Sequence, residues 1–366
     1  MSIYKSFIQY FRLYEAKKPS KAESSKVSSD DKGKLHELLL AKHLHPNNTL
    51  PEHHRSESKN PDHAGTPQQV HDKLKQKIGD AAYNEIDSHA KSTAAAVKKH
   101  LETHGHIGGN TGHSVANVHW TSNRDTEKKQ GDHEKTTGIK DVNSNADLIL
   151  TTANKKTGKV KHVGVSAKYG SQSPNYANPG LAALEKQAGH EPGTYSSLMK
   201  AHEDRMEKLG YSGSKKERHE KFKQDKASDN SADKARAAAA EKSSLETRQQ
   251  IARMHEQGLS NKTDAELRHH IANAVSPPTK IAHIVAHSKV DSSGGSTPHV
   301  EAAENIAKKH LDNFEHGSLQ IKKGNGISTD IVGRNKKTGK MQKVMTQIVK
   351  GVSGPHKGFA AATKIG

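Results

Sequence analysis

The chain has 366 residues, of which 31% are hydrophobic and 4% aromatic, and its formal net charge is +18. So few apolar side chains cannot fill a core of ordinary size for this length, so the sequence predicts a small core and much charged helix and solvated connection. There is no cysteine, which excludes disulfides and thiolate zinc sites, and no apolar run of membrane-spanning length. The positive charge selects polyanions as partners, with nucleic acid first and a membrane surface second.

In residues 1–16, Ile3, Phe7, Tyr10, Phe11 and Tyr14 fall near helical spacing and predict a short amphipathic helix. Residues 17–34 are rich in Ser and Lys and read as a flexible linker. Residues 35–43 suit a helical turn or two, and 46–67, with Pro, His and Asn, suit a loop. A long helical region follows over 70–104. Val70, Leu74, Ile78, Ala81 and Ala82 trace one stripe, which Ile86, Ala90, Ala94, Val97 and Leu101 continue. Gly79 is placed to divide it into two helices, and Gly105 to stop it. The Gly-rich segment 107–112 is not followed by Gly-Lys-Ser/Thr, so it reads as a turn and not a phosphate loop. Residues 114–121 form a strand that holds Trp120. Residues 122–145 form a long polar loop that holds Asp125.

Residues 143–169 carry the most information. Asp147 opens the apolar run Leu148-Ile149-Leu150, a buried strand. Asn154 to Lys159, NKKTGK, is polar, and its glycine suits a tight turn. In the next strand Val163, Val165 and Ala167 alternate with His162, Gly164, Ser166 and Lys168. The hairpin brings Asp147, at the start of one strand, near Lys168, at the end of the next. Ser166 and Lys168 are two apart and share a face. A carboxylate able to hold a divalent metal, beside a lysine able to steady a developing phosphorane, is suited to phosphodiester cleavage.

Further on, residues 181–188 predict a helix packed on the sheet. Residues 193–274 predict a highly charged helical region with a narrow apolar stripe, closed by Pro277 and Pro278. Residues 280–287 (KIAHIVAH) suit a strand or a buried helix, 291–298 a loop, and 300–314 an amphipathic helix. Residues 318–323, 326–333 and 340–351 predict a β-meander. NKKTGK recurs at Asn335 to Lys340, either as a decayed repeat or as a favoured turn sequence. The 27 histidines are scattered; apart from the i, i+4 pair His100 and His104 and the adjacent His269 and His270, few have ligand spacing. Most read as solvated residues that add charge as pH falls.

The stretch around residues 115–176 resembles the PD-(D/E)XK nuclease superfamily, whose pattern is Asp at a strand start, a hairpin, then Asp/Glu-x-Lys at the end of the next strand. Asp147 and Lys168 match the first Asp and the Lys, while Ser166 stands where the family usually has an acid. The resemblance implies an α/β (α+β) fold: a restriction-endonuclease-like core sheet flanked by helices, with a charged helical insertion and a C-terminal β-meander. It further implies Mg²⁺ (or Mn²⁺) held by Asp147, the backbone of Ala167 and one more acid. Glu85 is the best-placed acid, with Glu102 behind it and Asp125 as a further candidate. Asp147, Ser166, Lys168 and Glu85 would make the catalytic set, and DNA the substrate. Gln172 and Tyr176 are similar to an accessory motif in part of the superfamily, but Pro174 argues against the helix on which it lies there.

The expected segments are 1–34 (leader and linker), 35–69 (loop-rich), 70–190 (nuclease-like core), 191–276 (charged helical arm) and 277–366 (an α/β segment completing or flanking the sheet). The leader resembles those of proteins packaged into, or attached to, tailed-phage heads; a plain docking helix is the simpler reading. No secretory signal is legible. That resemblance implies a place in the host cytoplasm or a phage particle and an association with the capsid. The same composition also suits a non-catalytic basic DNA-binding or head-packaged protein. An RNA-binding reading would need stacking aromatics, which are scarce.

Overall fold

The computed structural model describes residues 27–51, 56, 58, 60–121, 126–141, 146–170, 180–276, 278–322, 326–350 and 359–366. The leader, Asp125, Gln172 and Tyr176 lie outside them. The fold is mixed α/β, with ten α-helices and two sheets among the described residues. The chain divides into two compact units: residues 1–172 with 279–302, and residues 173–278 with 303–366.

The first unit begins with α1 (Ser29–Leu44), opened by a capping box in which Ser28 and Asp31 satisfy each other's backbone amides. α2 (Pro67–Ile78) and α3 (Asp80–Thr103) are divided by Gly79, whose φ of 85° is a left-handed value that glycine adopts without strain. Then come β1 (His113–Trp120), α4 (Thr126–Thr137), β2 (Leu148–Asn154) and β3 (Val160–Gly170). Far along the chain, β4 (Ala282–Val290) and β5 (Ser296–Ala302) complete a sheet of order β1-β2-β3-β4-β5. All its pairings are antiparallel except β3 with β4. Residues 280–287, ambiguous in sequence, therefore enter a strand, and one pairing parallel to β3 across more than a hundred intervening residues.

Strand parity sorts the side chains. Val118, Trp120, Leu148, Leu150, Val163, Val165, Ile284 and Ala286 face α1 and α3 and share one core with Leu35, Leu38, Leu39, Ile86, Val97 and Leu101. Asp147, Ser166, Lys168 and His283 alternate to the other face. Each fully buried Leu contributes about 1.5–3 kcal/mol, so the leucines of α1 fix that helix on the sheet. Residues 35–43 are thus the middle of a core helix and not an isolated turn or two within a loop-rich segment. The start of that helix also takes up part of the predicted linker.

NKKTGK forms the β2–β3 turn. Asn154 Oδ1 accepts from the amides of Lys156 and Thr157, both at 2.9 Å, and Gly158 adopts φ +67°. In the second unit the same six residues make the same turn, with Asn335 accepting from Lys337 and Thr338 at 2.9 and 3.1 Å.

The second unit holds α5 (Leu181–Ala188), α6 (Thr194–Lys208), α7 (Lys215–Ala227), α8 (Ser231–Ser260), α9 (Asp264–Val275) and α10 (Ala303–Leu311). Its antiparallel sheet is β6 (Gln320–Lys322), β7 (Ser328–Arg334), β8 (Met341–Lys350) and β9 (Ala360–Ile365), in that order. The charged helices are not a bare arm. Leu184, Tyr195 and Ile251 are buried with Val349 and Phe359, and Leu259, Leu267 and Ile271 with Ile331 and Val344. The C-terminal strands β6–β9 form their own sheet, and only β4 and β5 complete the first. α5 crosses α8 so closely that a Cβ on Gly258 would collide with the Ala188 carbonyl.

Candidate active site

The hairpin brings Asp147, Ser166 and Lys168 to one place. Asp147 sits one residue before β2, where its amide donates to the Val165 carbonyl at 2.9 Å and its own carbonyl accepts from Thr121 N at 2.9 Å. These backbone bonds fix its Cα opposite Ser166. Asp147 Oδ2 accepts from the amide of Ala167 at 3.1 Å and lies 3.9 Å from Lys168 Nζ. Asp147, Ala167 and Lys168 are therefore brought together, with Ser166 beside them on β3.

Two groups at this place were not legible in the sequence. Lys129 of α4 donates to Asp147 Oδ1 at 2.8 Å, with side-chain exposures of only 13% and 15%. His283 of β4 lies with Nε2 2.9 Å from Ser166 Oγ. α4 is fixed by His133, one turn beyond Lys129, whose Nε2 lies 2.9 Å from Thr121 Oγ1 and 3.1 Å from the Ala146 carbonyl. The segment 122–145, read as loop, carries this short helix, whose sequence TEKKQGDHEKTT has no apolar residue and so leaves no apolar stripe to read.

Electrostatics follow from the crowding. Burial alone would push the Asp147 carboxyl up, but Lys129, Lys168 and, more remotely, Lys34 hold it well below the usual carboxylate range. It is ionised at any working pH. Burial pushes His283 down to about 4; Asp147 opposes that, and Lys129 and Lys168 add to it. Burial likewise pushes His133 to about 4. Both imidazoles are neutral at pH 7, so the local charge is one carboxylate against two ammonium groups.

Glu85 is not brought to this cluster. It is exposed on α3, the helix on the opposite face of the sheet, and its carboxylate adds to the burial that pushes the Tyr169 hydroxyl up to about 12. Tyr169 alternates away from Lys168, and the resemblance that implied an acid from the helix before the sheet did not fix which side of the sheet that helix covers. Glu102 lies elsewhere, on a surface cleft of about 270 Å³ with Lys98 and His113. On α1, Glu37, 7% exposed, accepts from Trp120 Nε1 at 2.8 Å and from Lys34 at 3.0 Å. Among the described residues no three or more His, Asp or Glu side chains converge as a metal-ligand set.

A divalent ion is nevertheless compatible with the donors present. Asp147 is an ionised carboxylate that already holds a cation, the Lys129 ammonium, and Mg²⁺ sites commonly use one or two carboxylates with water and substrate phosphate. No helix among the described residues is long and apolar enough to cross a membrane.

No protein-family model and no curated protein matches the chain. Among solved structures, the restriction endonuclease MspI in complex with its cognate DNA is similar at a TM-score of 0.32 and 9% identity, over 80% of this chain and 82% of that one.

Proposed function

We propose that the chain is a divalent-metal-dependent DNA endonuclease whose active site is Asp147, Ser166 and Lys168. The observation that carries this reading is the placement of one carboxylate at a strand start against a lysine on the same face of the neighbouring strand. The net charge of +18 supports a polyanionic substrate held largely through its phosphates. Mg²⁺ or Mn²⁺ would be held by Asp147 with the backbone of Ala167. When bound, it polarises a phosphoryl oxygen and acidifies a water.

The side chains have separable roles. The Lys168 ammonium, 30% exposed, faces the space where charge develops on the attacked phosphate and stabilises it there. The Ser166 hydroxyl, paired with neutral His283, keeps β3 and β4 in register beneath that space. The test is nicking of supercoiled plasmid with Mg²⁺ or with EDTA. Wild type is expected to cut only with metal, and Asp147→Ala and Lys168→Ala to lose at least about a hundredfold in rate. Wild-type rates in both variants would overturn the site.

Two observations favour a second reading, a non-catalytic basic DNA-binding protein: the usual second acid is replaced by Ser166, and the first is paired with Lys129. Salt-sensitive DNA binding without cleavage in Mg²⁺ or Mn²⁺ would select it.

A further inference from the structure

We propose that Lys129 is the resident cation of this site, occupying the place on Asp147 that the divalent ion takes, so that loading the ion is an exchange in which α4 withdraws its ammonium. The inference rests on the reading that Asp147 holds the metal, but it concerns a residue outside the nuclease motif. Three observations carry it. Lys129 Nζ lies 2.8 Å from Asp147 Oδ1, a full hydrogen bond, whereas Lys168 Nζ stands 3.9 Å from Oδ2. Oδ2 is engaged by the Ala167 amide at 3.1 Å, so Oδ1 is the oxygen an incoming ion would contest. Finally, α4 has its own attachment one turn on, through His133 to Thr121 and the Ala146 carbonyl, so its fixing does not require the ion pair.

An ammonium and a metal dication cannot both sit on one carboxylate oxygen without strong repulsion. The apparent affinity of the ion is therefore reduced by whatever free energy holds Lys129 on Asp147. A phosphate of a bound nucleic acid would offer Lys129 an alternative partner, which makes the exchange easier when substrate is bound.

The experiment is calorimetric titration of Mn²⁺ into the full-length protein, as wild type and as Lys129→Met, Lys129→Arg, Lys168→Met and Asp147→Asn, each first checked for a cooperative thermal transition. Methionine keeps the buried stem of Lys129 and removes its charge. Lys129→Met is expected to bind Mn²⁺ about tenfold more tightly than wild type, with Lys129→Arg unchanged, Lys168→Met tightened less and Asp147→Asn not binding. Equal tightening in both methionine variants would reduce Lys129 to one contributor to a general field and overturn the exchange. So would an unchanged Lys129→Met, or no Mn²⁺ binding by any variant. Plasmid cleavage, scored separately, decides the nuclease reading: cleavage without tightening sinks only the exchange, and tightening without cleavage sinks only the nuclease.

Discussion

Ser166 is 4% exposed and hydrogen-bonded to a neutral histidine, and that environment sets what a substitution there does. Ser166→Ala leaves His283 Nε2 without its partner, so a loss of about 1–3 kcal/mol is expected in urea unfolding. Ser166→Glu restores the superfamily pattern but places a second carboxylate beside Asp147 in a nearly dry position. It is expected to melt below wild type in EDTA and to recover on adding Mg²⁺, because a cation would then neutralise the pair. Failure of Mg²⁺ to raise its melting temperature would count against a metal position at Asp147. At this scale the sequence was informative about Asp147, Ser166 and Lys168, because strand alternation and one short turn determine their faces. It was silent on His283, whose partner lies 117 positions away across a parallel pairing. It was also silent on Lys129, because a charged residue in a polar helix carries no periodic signal.

Among the elements, α1 shows why an N-terminal boundary could not be placed by composition. Its centre is apolar almost all round, since residues 35 and 38–41 are completely buried, so it presents no amphipathic stripe to a periodic reading. Its first turn is tied down as well. Asp31, 1% exposed, accepts from the Ser28 amide at 2.8 Å and lies 2.8 Å from His63 Nε2 and 3.1 Å from Lys77 Nζ. The sequence suggests that residues 1–34 can be removed at little cost. The structure gives the opposite expectation: that deletion takes away the capping box, leaves the buried His63 without Asp31, and removes one of the two carboxylates of Lys77, which keeps Asp62 at 2.7 Å. A loss of about 3 kcal/mol or more is expected, seen as a lower urea midpoint. The hairpin and the Gly79 break were legible because glycine and asparagine act locally. The strands of the C-terminal meander were legible too, but not that β6–β9 form a sheet of their own, because part of its burial comes from distant helices, such as Ile251 packed with Val349.

For the whole molecule, charge and histidine burial govern behaviour in solution. DNA affinity is expected to fall as salt rises, with a clearly negative slope of log affinity against log salt in filter binding; a flat slope would exclude a phosphate-dominated mode. Several histidines are core residues and not solvated ones. His255 and His270 lie 2.7 and 3.1 Å from Gln347 Oε1, and burial pushes both to about 4, as it does His133 and His283. In the unfolded chain they titrate near 6.5, so between pH 6.5 and 4 the unfolded state binds more protons and stability falls with acidification. The melting temperature is expected to drop steeply across that window and to level above it, and His255→Gln should flatten the drop. Sequence alone suggested only extra surface charge at low pH, because a histidine's burial depends on what packs around it.

The chain's single tryptophan stands one residue from Thr121, whose amide holds the carbonyl of Asp147. Its indole is 1% exposed, donates to Glu37, and lies 5.6 Å beneath the Lys34 ammonium. The protein therefore carries a built-in optical probe: excitation in the indole band interrogates this one spot, and emission should be blue-shifted relative to free indole. Any ion or oligonucleotide that disturbs the strand ends should change its intensity without a label. A titration followed by this light would report occupancy in a cuvette even under conditions where no bond is cut.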